Sequence, residues 1–146
     1  MNSSLNEKLL NKVLKLLSYR PRSVFEIKLR LKKLTPAVKD INTVINKLLD
    51  EDLLNDQKFA DWWVDQRVTH RPKGNIALKS ELFKKGIDRD IIDSALLDLT
   101  QEKTLAKKLL NSKKITLKQK AYQYLRTRGF SPESILSAID ELAFKE

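Results

Sequence analysis

Internal repetition is the feature of this sequence that most restricts its fold. A shift of 51 residues superposes Arg20, Pro21, Ile27, Lys28, Leu31, Ile41 and Ile45 on Arg71, Pro72, Leu78, Lys79, Leu82, Ile92 and Leu96. A further shift of 43 residues superposes Leu82, Gly86, Ile87, Ile92 and Ala95 on Leu125, Gly129, Phe130, Ile135 and Ala138. Periods of this size are typical of stacked helical units, each too small to bury its own apolar face.

The charge pattern follows the same three cycles. Residues 20–33, 67–85 and 103–128 carry net charges of +5, +5 and +9, and the intervening segments 34–66, 86–102 and 129–146 carry −4, −4 and −3. The total of +10 favours a polyanionic partner, although a single charged run is usually a solvated helix face. We therefore expect one strongly cationic helix in each repeated unit.

Helix-start and helix-stop signals divide each unit into three helices. In the first unit, Ser23 and Glu26 have the spacing of a capping box, and Thr35 with Pro36 predicts the start of the next helix. The corresponding signals in the later units are Asp56, Gly74, Gly86, Asp88, Thr100, Thr116, Gly129 and Ser131 with Pro132. No segment alternates polar and apolar residues as a half-buried strand does, so we predict an all-α protein of about nine helices. Its units are expected at residues 1–54, 55–99 and 100–146.

The stretch KFADWWVDQR, residues 58–67, places three aromatic residues on one helix. Phe59, Trp63 and Val64 fall on one side, which predicts burial because large apolar side chains are stabilised when they leave water. Trp62 lies on the flank, where a core position and an exposed position both remain open. With most large aromatic residues in the core, few surfaces remain for base stacking, so we expect weak, salt-sensitive binding of bare single-stranded DNA.

Residue types that support catalysis or metal binding are scarce. The chain has no cysteine, three glycines and one histidine, His70, so it lacks a zinc ligand set and a glycine-rich phosphate loop. The acidic segments DED at 50–52 and DRD at 88–90 have the side chains that magnesium nucleases use. They also fit a helix end with its turn and a first helical turn, where acids are favourable. We predict no enzymatic activity, no metal and no cofactor, with a magnesium nuclease as an alternative.

Segments that would direct the chain to a membrane are not predicted. No apolar run approaches the length of a membrane span. The first residues, MNSSLNEKLLNKVLKLL, alternate charges with leucines and are interpreted as a first helix, not as a signal peptide. We therefore expect a cytoplasmic protein without a membrane partner.

Four segments of the sequence match a known pattern: LSYRPRSVFEIKLRLKK, LLNDQKFADWWVDQRVTHRPKG, LKSELFKKGIDRDIIDSAL and YLRTRGFSPESILSAI. They resemble the bacterial RecX family, the regulators of the RecA recombinase, and the resemblance covers about residues 5–142. It implies an elongated, curved array of three tandem three-helix repeats. It also implies a protein that lies in the groove of the RecA filament on single-stranded DNA and inhibits its ATPase and strand exchange.

The chain departs from the pattern of that family at two places. Asp52 stands where the family commonly has glycine, and KKLTP lacks the glycine present in KKGID and RTRGF. Aspartate tolerates left-handed backbone better than most residues do, so we expect the turn at Asp52 to be kept.

The cationic residues of the three units are the candidate contacts with the filament or its DNA. They are Arg20, Arg22, Arg30, Arg67, Arg71, Lys73, Lys79, Lys118, Lys120, Arg126 and Arg128. The expected partners are the RecA filament and single-stranded DNA, bound weakly or through the filament, and the protein is expected to be a monomer. A general DNA- or RNA-binding helical repeat that acts without RecA remains the alternative.

Overall fold

The structure is a computed structural model that describes residues 2–142, with side chains from residue 4 onward. Nine α-helices and no strands lie within this range, which confirms the predicted all-α repeat array. The helices are α1 (Asn2–Tyr19), α2 (Val24–Leu34), α3 (Val38–Asp50), α4 (Asp56–Thr69), α5 (Asn75–Lys84), α6 (Arg89–Ala95), α7 (Leu99–Ser112), α8 (Lys118–Thr127) and α9 (Pro132–Leu142). Residues 1 and 143–146, predicted to belong to the first and third units, lie outside the described residues.

Three apolar cores organise the helices into groups of three. The first core joins α1 to α3, the second joins α4 to α6, and the third joins α7 to α9. Leu31, Leu82 and Leu125, which the repeat superposes, are all fully buried, each in a different core. Because a helix of ten residues cannot shield its own apolar face, the middle helix of each unit depends on its two neighbours. The unit boundaries after residues 54 and 99 stay a prediction.

The surface area indicates an extended arrangement of the units. The accessible surface is 9459 Å². A compact monomer of 16.9 kDa would expose roughly 7,700 Å². The excess is expected for small units placed in a row, since each touches only its neighbours.

Capping residues confirm some predicted helix starts and correct others. The capping box of Ser23 and Glu26 is present, and Pro132 is the first residue of α9. The predicted start at Thr35 and Pro36 is wrong: the Thr35 N–H bonds to the Leu31 carbonyl and ends α2, and α3 begins at Val38.

The threonines proposed as caps in the third unit are also displaced. Thr100 lies inside α7, because Asp98 caps that helix through a reciprocal pair of bonds with Gln101. Leu117, not Thr116, is the residue before α8. The residue that takes the cap position lies two residues before Thr100 in α7 and one residue after Thr116 in α8. The carboxylate of Asp98 accepts the Gln101 N–H, so the Thr100 hydroxyl is not the cap.

Backbone with positive φ occurs at the turn where it was expected. Asp52 has φ 57°, so an aspartate does adopt the left-handed conformation. Gly86 and Gly129 have φ 74° and 80° just after α5 and α8. The first unit lacks this glycine, and Thr35 after α2 is extended instead.

The junction between the second and third units is formed mainly by backbone. The Gly74 N–H donates to the Arg128 carbonyl at 2.9 Å, and the Ile76 N–H donates to the Gly129 carbonyl at 2.9 Å. The buried Glu102 carboxylate accepts the Asn75 N–H at 2.6 Å. These bonds satisfy N–H groups at the start of α5 and carbonyl groups at the end of α8, which neither helix can satisfy internally.

The junction between the first and second units uses the equivalent positions but different groups. Ser23 is superposed on Gly74 by the repeat, and its hydroxyl donates to the Lys85 carbonyl at 2.7 Å. The Val24 N–H donates to the Asp56 carboxylate at 2.9 Å, as the Asn75 N–H does to Glu102. The N-terminus of α2 therefore lies on the C-terminus of α5, whose own N-terminus lies on the C-terminus of α8. The middle helices α2, α5 and α8 form a row.

Candidate binding surface

Glu81 fixes the aromatic helix α4 to the basic helix α5. Its carboxylate accepts the Trp63 indole N–H at 2.9 Å, the Arg67 Nε–H at 3.0 Å and the Lys73 ammonium at 2.8 Å. Burial alone would raise the pKa of the Glu81 carboxyl, but the bonds from Lys73, Trp63 and Arg67 hold it below its ordinary value. Arg67 and Lys73 are therefore partly structural residues.

Glu26 has the same role between the first two units. It pairs with Arg20 at 2.6 Å and with Lys85 at 3.3 Å. Burial would raise the pKa of its carboxyl, whereas the bonds from Arg20 and the Ser23 N–H lower it, and the net result is a lowered pKa. The Arg20 guanidinium lies 5.9 Å from the centre of the Trp62 ring. The ion pair with Glu26 therefore gives Arg20 a structural role.

The two tryptophans are neither fully buried nor free. Trp63 is half-buried, with Arg67 and Lys85 5.2 and 5.4 Å from its ring centre. The prediction that it belongs to the core beside Phe59 and Val64 is right only for the last two, because the indole N–H needs the Glu81 carboxylate at the surface of the unit. Trp62, left open by the sequence, is also half-buried.

Other predicted contact residues remain exposed along the array. They are Arg30 on α2, Arg71 after α4, Lys79 on α5, and Lys118, Lys120 and Arg126 on α8. Arg71 has a positive φ of 52° and lines a small pocket with Trp62 and Trp63. Arg128 is half-buried and lies 5.1 Å from the centre of the Tyr124 ring. Each unit therefore presents exposed cations of its own.

An open groove of about 280 Å³ lies where α2 meets the end of α5. We call it the junction groove. Its cations are Arg22, Arg30, Lys33, Lys84 and Lys85; Glu26 also lines it, and its apolar residues include Phe25 and Leu29. Lys33, Lys84 and Lys85 were not among the candidate contacts, although they lie in the positive blocks of the sequence.

Arg22 is the most constrained cation of this groove. Among the described residues, its Nε atom is one of three buried side-chain polar atoms without a hydrogen-bond partner. Burial lowers the pKa of the Arg22 guanidinium, and the charge of Arg20 lowers it further. An anion bound in this groove would offset the repulsion among its arginines.

Several aromatic side chains are more exposed than the sequence predicted. Phe83 is 74% exposed and Phe25 is 42% exposed, and Tyr19 and Tyr122 are exposed as well. The expectation that few aromatic surfaces remain for stacking is therefore wrong. Phe25 and Phe83 lie off the apolar stripes of α2 and α5, whose buried residues are Ile27 with Leu31 and Leu78 with Leu82. The helical period alone could have identified both.

Two findings concern metals and membranes. Within residues 2–142, no three histidine or acidic side chains lie together as a group able to hold a metal ion. None of the helices in that range has the length and apolar character needed to cross a bilayer.

Comparison with known proteins connects this architecture to one family. Two family profiles, described as the first and the second three-helix domain of RecX, match residues 10–48 and 55–96. A crystal structure of RecX from Lactobacillus salivarius has 34% sequence identity and a TM-score of 0.80, and the match covers 97% of this chain and 99% of that chain. This chain belongs to the RecX family.

Other members of the RecX family differ in length. Regulatory protein RecX of Bacillus subtilis (strain 168) is 39% identical over 145 residues, which cover 92% of this chain and 55% of that protein. A second crystal structure, of a regulatory protein RecX, has 28% identity and a TM-score of 0.76, and the match covers 73% of that chain. This chain therefore spans about half the length of the curated relatives it matches.

Proposed function

We propose that this protein is a non-enzymatic inhibitor of the RecA recombinase. In this proposal it lies in the groove of the RecA filament on single-stranded DNA and suppresses ATP hydrolysis and strand exchange. Membership of a family of regulatory proteins supports a regulatory role. The observation that carries the proposal is the row of α2, α5 and α8, in which every unit keeps exposed cations.

The dimensions of the row suit a long partner better than a small one. The three middle helices together contain roughly 46 Å of helix at 1.5 Å per residue. Exposed cations distributed over such a length match a charged filament or nucleic-acid backbone, since each contact adds a modest, salt-dependent term. No concentrated catalytic cluster is needed for inhibition of this kind.

Nine of the eleven predicted contact residues fall into two groups with different expected roles, and the other two, Arg22 and Arg128, are half-buried. Arg20, Arg67 and Lys73 bind Glu26 or Glu81, so their substitution should first disturb the fold. The exposed cations are therefore the preferred filament contacts in this proposal. They are Arg30, Arg71, Lys79, Lys118, Lys120 and Arg126.

The same proposal includes the state and place of action. We expect a cytoplasmic monomer whose units, at residues 1–54, 55–99 and 100–146, act together on one filament.

The test is DNA-dependent ATP hydrolysis by the cognate RecA, with filaments assembled first and the protein then added in substoichiometric amounts. We expect hydrolysis to slow as the protein is added.

Substitutions at exposed cations test the distributed contacts. Arg71→Ala should weaken inhibition only partly, by about 1 kcal/mol, because an exposed charge contributes little alone. Arg71→Glu with Arg126→Glu should weaken it far more, since effects at distant sites usually add. Lys47→Glu on α3, a charge reversal at an exposed residue that is not a candidate contact, is the matched control and should leave inhibition unchanged. No slowing by folded wild-type protein at any ratio would contradict the proposal.

A general nucleic-acid-binding function is the second candidate. The exposed rings of Phe25 and Phe83 favour it, because aromatic side chains between cations support base stacking without a protein partner. This function predicts binding to naked nucleic acid in the absence of RecA and no dependence of the biological effect on the filament. The ATPase assay separates the two functions.

A further inference from the structure

The junction groove combines an aromatic surface with positive charge. Phe25 packs directly against Gly86, because a Cβ atom at residue 86 would lie only 2.4 Å from the Cβ of Phe25. The glycine thus allows the phenylalanine to pack directly on backbone, while 42% of the residue stays exposed. A ring that is supported on one side and accessible to solvent is suited to stacking with a flat ligand.

Five cations surround this ring, and only one carboxylate faces them. That carboxylate, Glu26, is already paired with Arg20 and Lys85, and its pKa is lowered by these partners despite burial. Arg30, Lys33 and Lys84 are exposed, and Arg22 is half-buried. The groove therefore keeps a positive surplus beside an accessible ring.

We propose that the junction groove binds single-stranded nucleic acid, with one base stacked on Phe25 and the neighbouring phosphates held by Arg22, Arg30, Lys33 and Lys84. Stacking on an aromatic side chain accepts any base, and cations beside it follow the backbone. Guanidinium groups match phosphate oxygens with paired donors, which suits the two arginines. This inference rests on the second candidate function, nucleic-acid binding, and names its site; it does not depend on the proposed action on RecA.

The size and form of the groove favour a nucleotide over an acidic peptide. A volume of about 280 Å³ lies at the lower end of small-ligand sites and is enough for roughly one nucleotide. A bound peptide strand needs a sheet edge, and a bound helix needs a long apolar groove. The described residues form no sheet, and five of the ten residues that line this groove are cationic.

The experiment measures binding without RecA by fluorescence anisotropy. The two probes are a labelled oligodeoxythymidylate of about 15 nucleotides and an abasic strand of equal length, which has the phosphates but no bases. We expect the thymidylate to bind roughly fivefold more tightly than the abasic strand, since only it can stack. Its binding should also weaken as salt rises.

Two variants separate stacking from charge. Phe25→Leu keeps an apolar contact with Gly86 and should reduce thymidylate binding roughly fivefold without changing abasic binding. Lys33→Ala with Lys84→Ala should flatten the plot of log affinity against log salt by about 1.4, at about 0.7 for each lost phosphate contact. Lys47→Ala on α3, outside the groove, is the matched control and should behave as wild type. Circular dichroism and thermal unfolding verify that every variant is folded.

Two results would overturn the proposal. One is equal binding of the thymidylate and abasic strands by wild type, with no effect of Phe25→Leu, which would exclude stacking in the groove. The other is displacement of the thymidylate by an oligoglutamate peptide at lower concentration than by the abasic strand, which would make the groove an acidic-peptide site. Because no assay contains RecA, these results are independent of the ATPase test.

Discussion

The two junctions of the array occupy equivalent positions of the repeat but are built from different chemistry. Between the second and third units, Gly74 and Gly129 bring two backbones into direct contact, and the Glu102 carboxylate is only 1% exposed. Between the first and second units, the side chains of Ser23 and Glu26 bridge to Lys85, and the junction groove stays open beside them.

The difference shows how one repeat can provide both a rigid connection and a binding surface. A backbone junction cannot accept a Cβ atom, so it tolerates little variation and leaves little space. A junction made from side chains can retain its hydrogen bonds while exposing neighbouring residues, here Arg22 and Phe25. The first junction is therefore the better place for a ligand, and the second is the better place for stability.

The largest expected effect is at the backbone junction. In Gly74→Ala, the new Cβ would lie 2.3 Å from the Phe130 Cα, which cannot move aside as a flexible side chain can. We expect the free energy of unfolding to fall by about 3 kcal/mol, measured by urea denaturation.

The equivalent position in the other junction provides the control. Ser23→Ala loses the cap of α2 and the donor to Lys85, and should cost about 1 kcal/mol. Equal losses at positions 23 and 74 would mean that the two junctions do not differ as described.

Glu102 should give the next largest effect. Its carboxylate accepts the Asn75 N–H and the hydroxyls of Ser131 and Ser134 inside the third unit. In Glu102→Gln, one of these donors would face an amide NH₂ group, so we expect a loss of about 2 kcal/mol in the free energy of unfolding. Glu133→Gln, on the exposed surface of α9, is the control and should change the free energy of unfolding little. An equal loss in both variants would contradict the view that burial makes Glu102 important for stability.

The smallest effect is expected at Glu26 and should depend on pH. The pKa of the Glu26 carboxyl is below its ordinary value of 4.5 in the folded protein. The unfolded chain therefore binds this proton first as pH falls, and the stabilisation, present above pH 4.5, is lost through the folded pKa. Glu26→Gln should cost about 1 kcal/mol at neutral pH.

Denaturation of both proteins at neutral pH and below the folded pKa tests this sign. The difference between wild type and Glu26→Gln should shrink at the lower pH. Asp56 in the same junction has the opposite behaviour, because burial raises the pKa of its carboxyl, and its contribution should improve as pH falls through that raised value. A difference at Glu26 that grows with acidity would contradict the lowered pKa.

Helix content and repeat period were available from local sequence, whereas several helix starts were not. Ser23 with Glu26 forms a complete capping box within four residues, so its signal does not depend on the rest of the chain. Thr35 and Pro36 form an equally local signal, yet Thr35 ends α2 and α3 begins at Val38. The signal correctly marked a helix boundary, but this boundary is the end of α2 and not the start of α3.

The positive charge of the candidate surface was predictable from the sequence. The identity of the residues that remain available there was predictable only in part. The positive blocks of the sequence contain every cation of the junction groove. Which of the predicted cations remain available depends on Glu26 and Glu81, whose partners Arg20, Arg67, Lys73 and Lys85 lie 6 to 59 residues away in the chain. Pairing of this kind is a property of helix packing and leaves no periodic signal.

The sequence by itself determined the repeated helical units, because the apolar period that predicts a helix also selects the face it must bury. It also determined the positive block within each unit, since residue type alone fixes these charges. Only the tertiary structure decided where α2 meets α5, which carboxylates neutralise which cations, and that Phe25 lies exposed on Gly86. These features arise when residues distant in sequence come within a few ångströms of one another, and hydrogen bonding, burial and charge pairing act only at such distances.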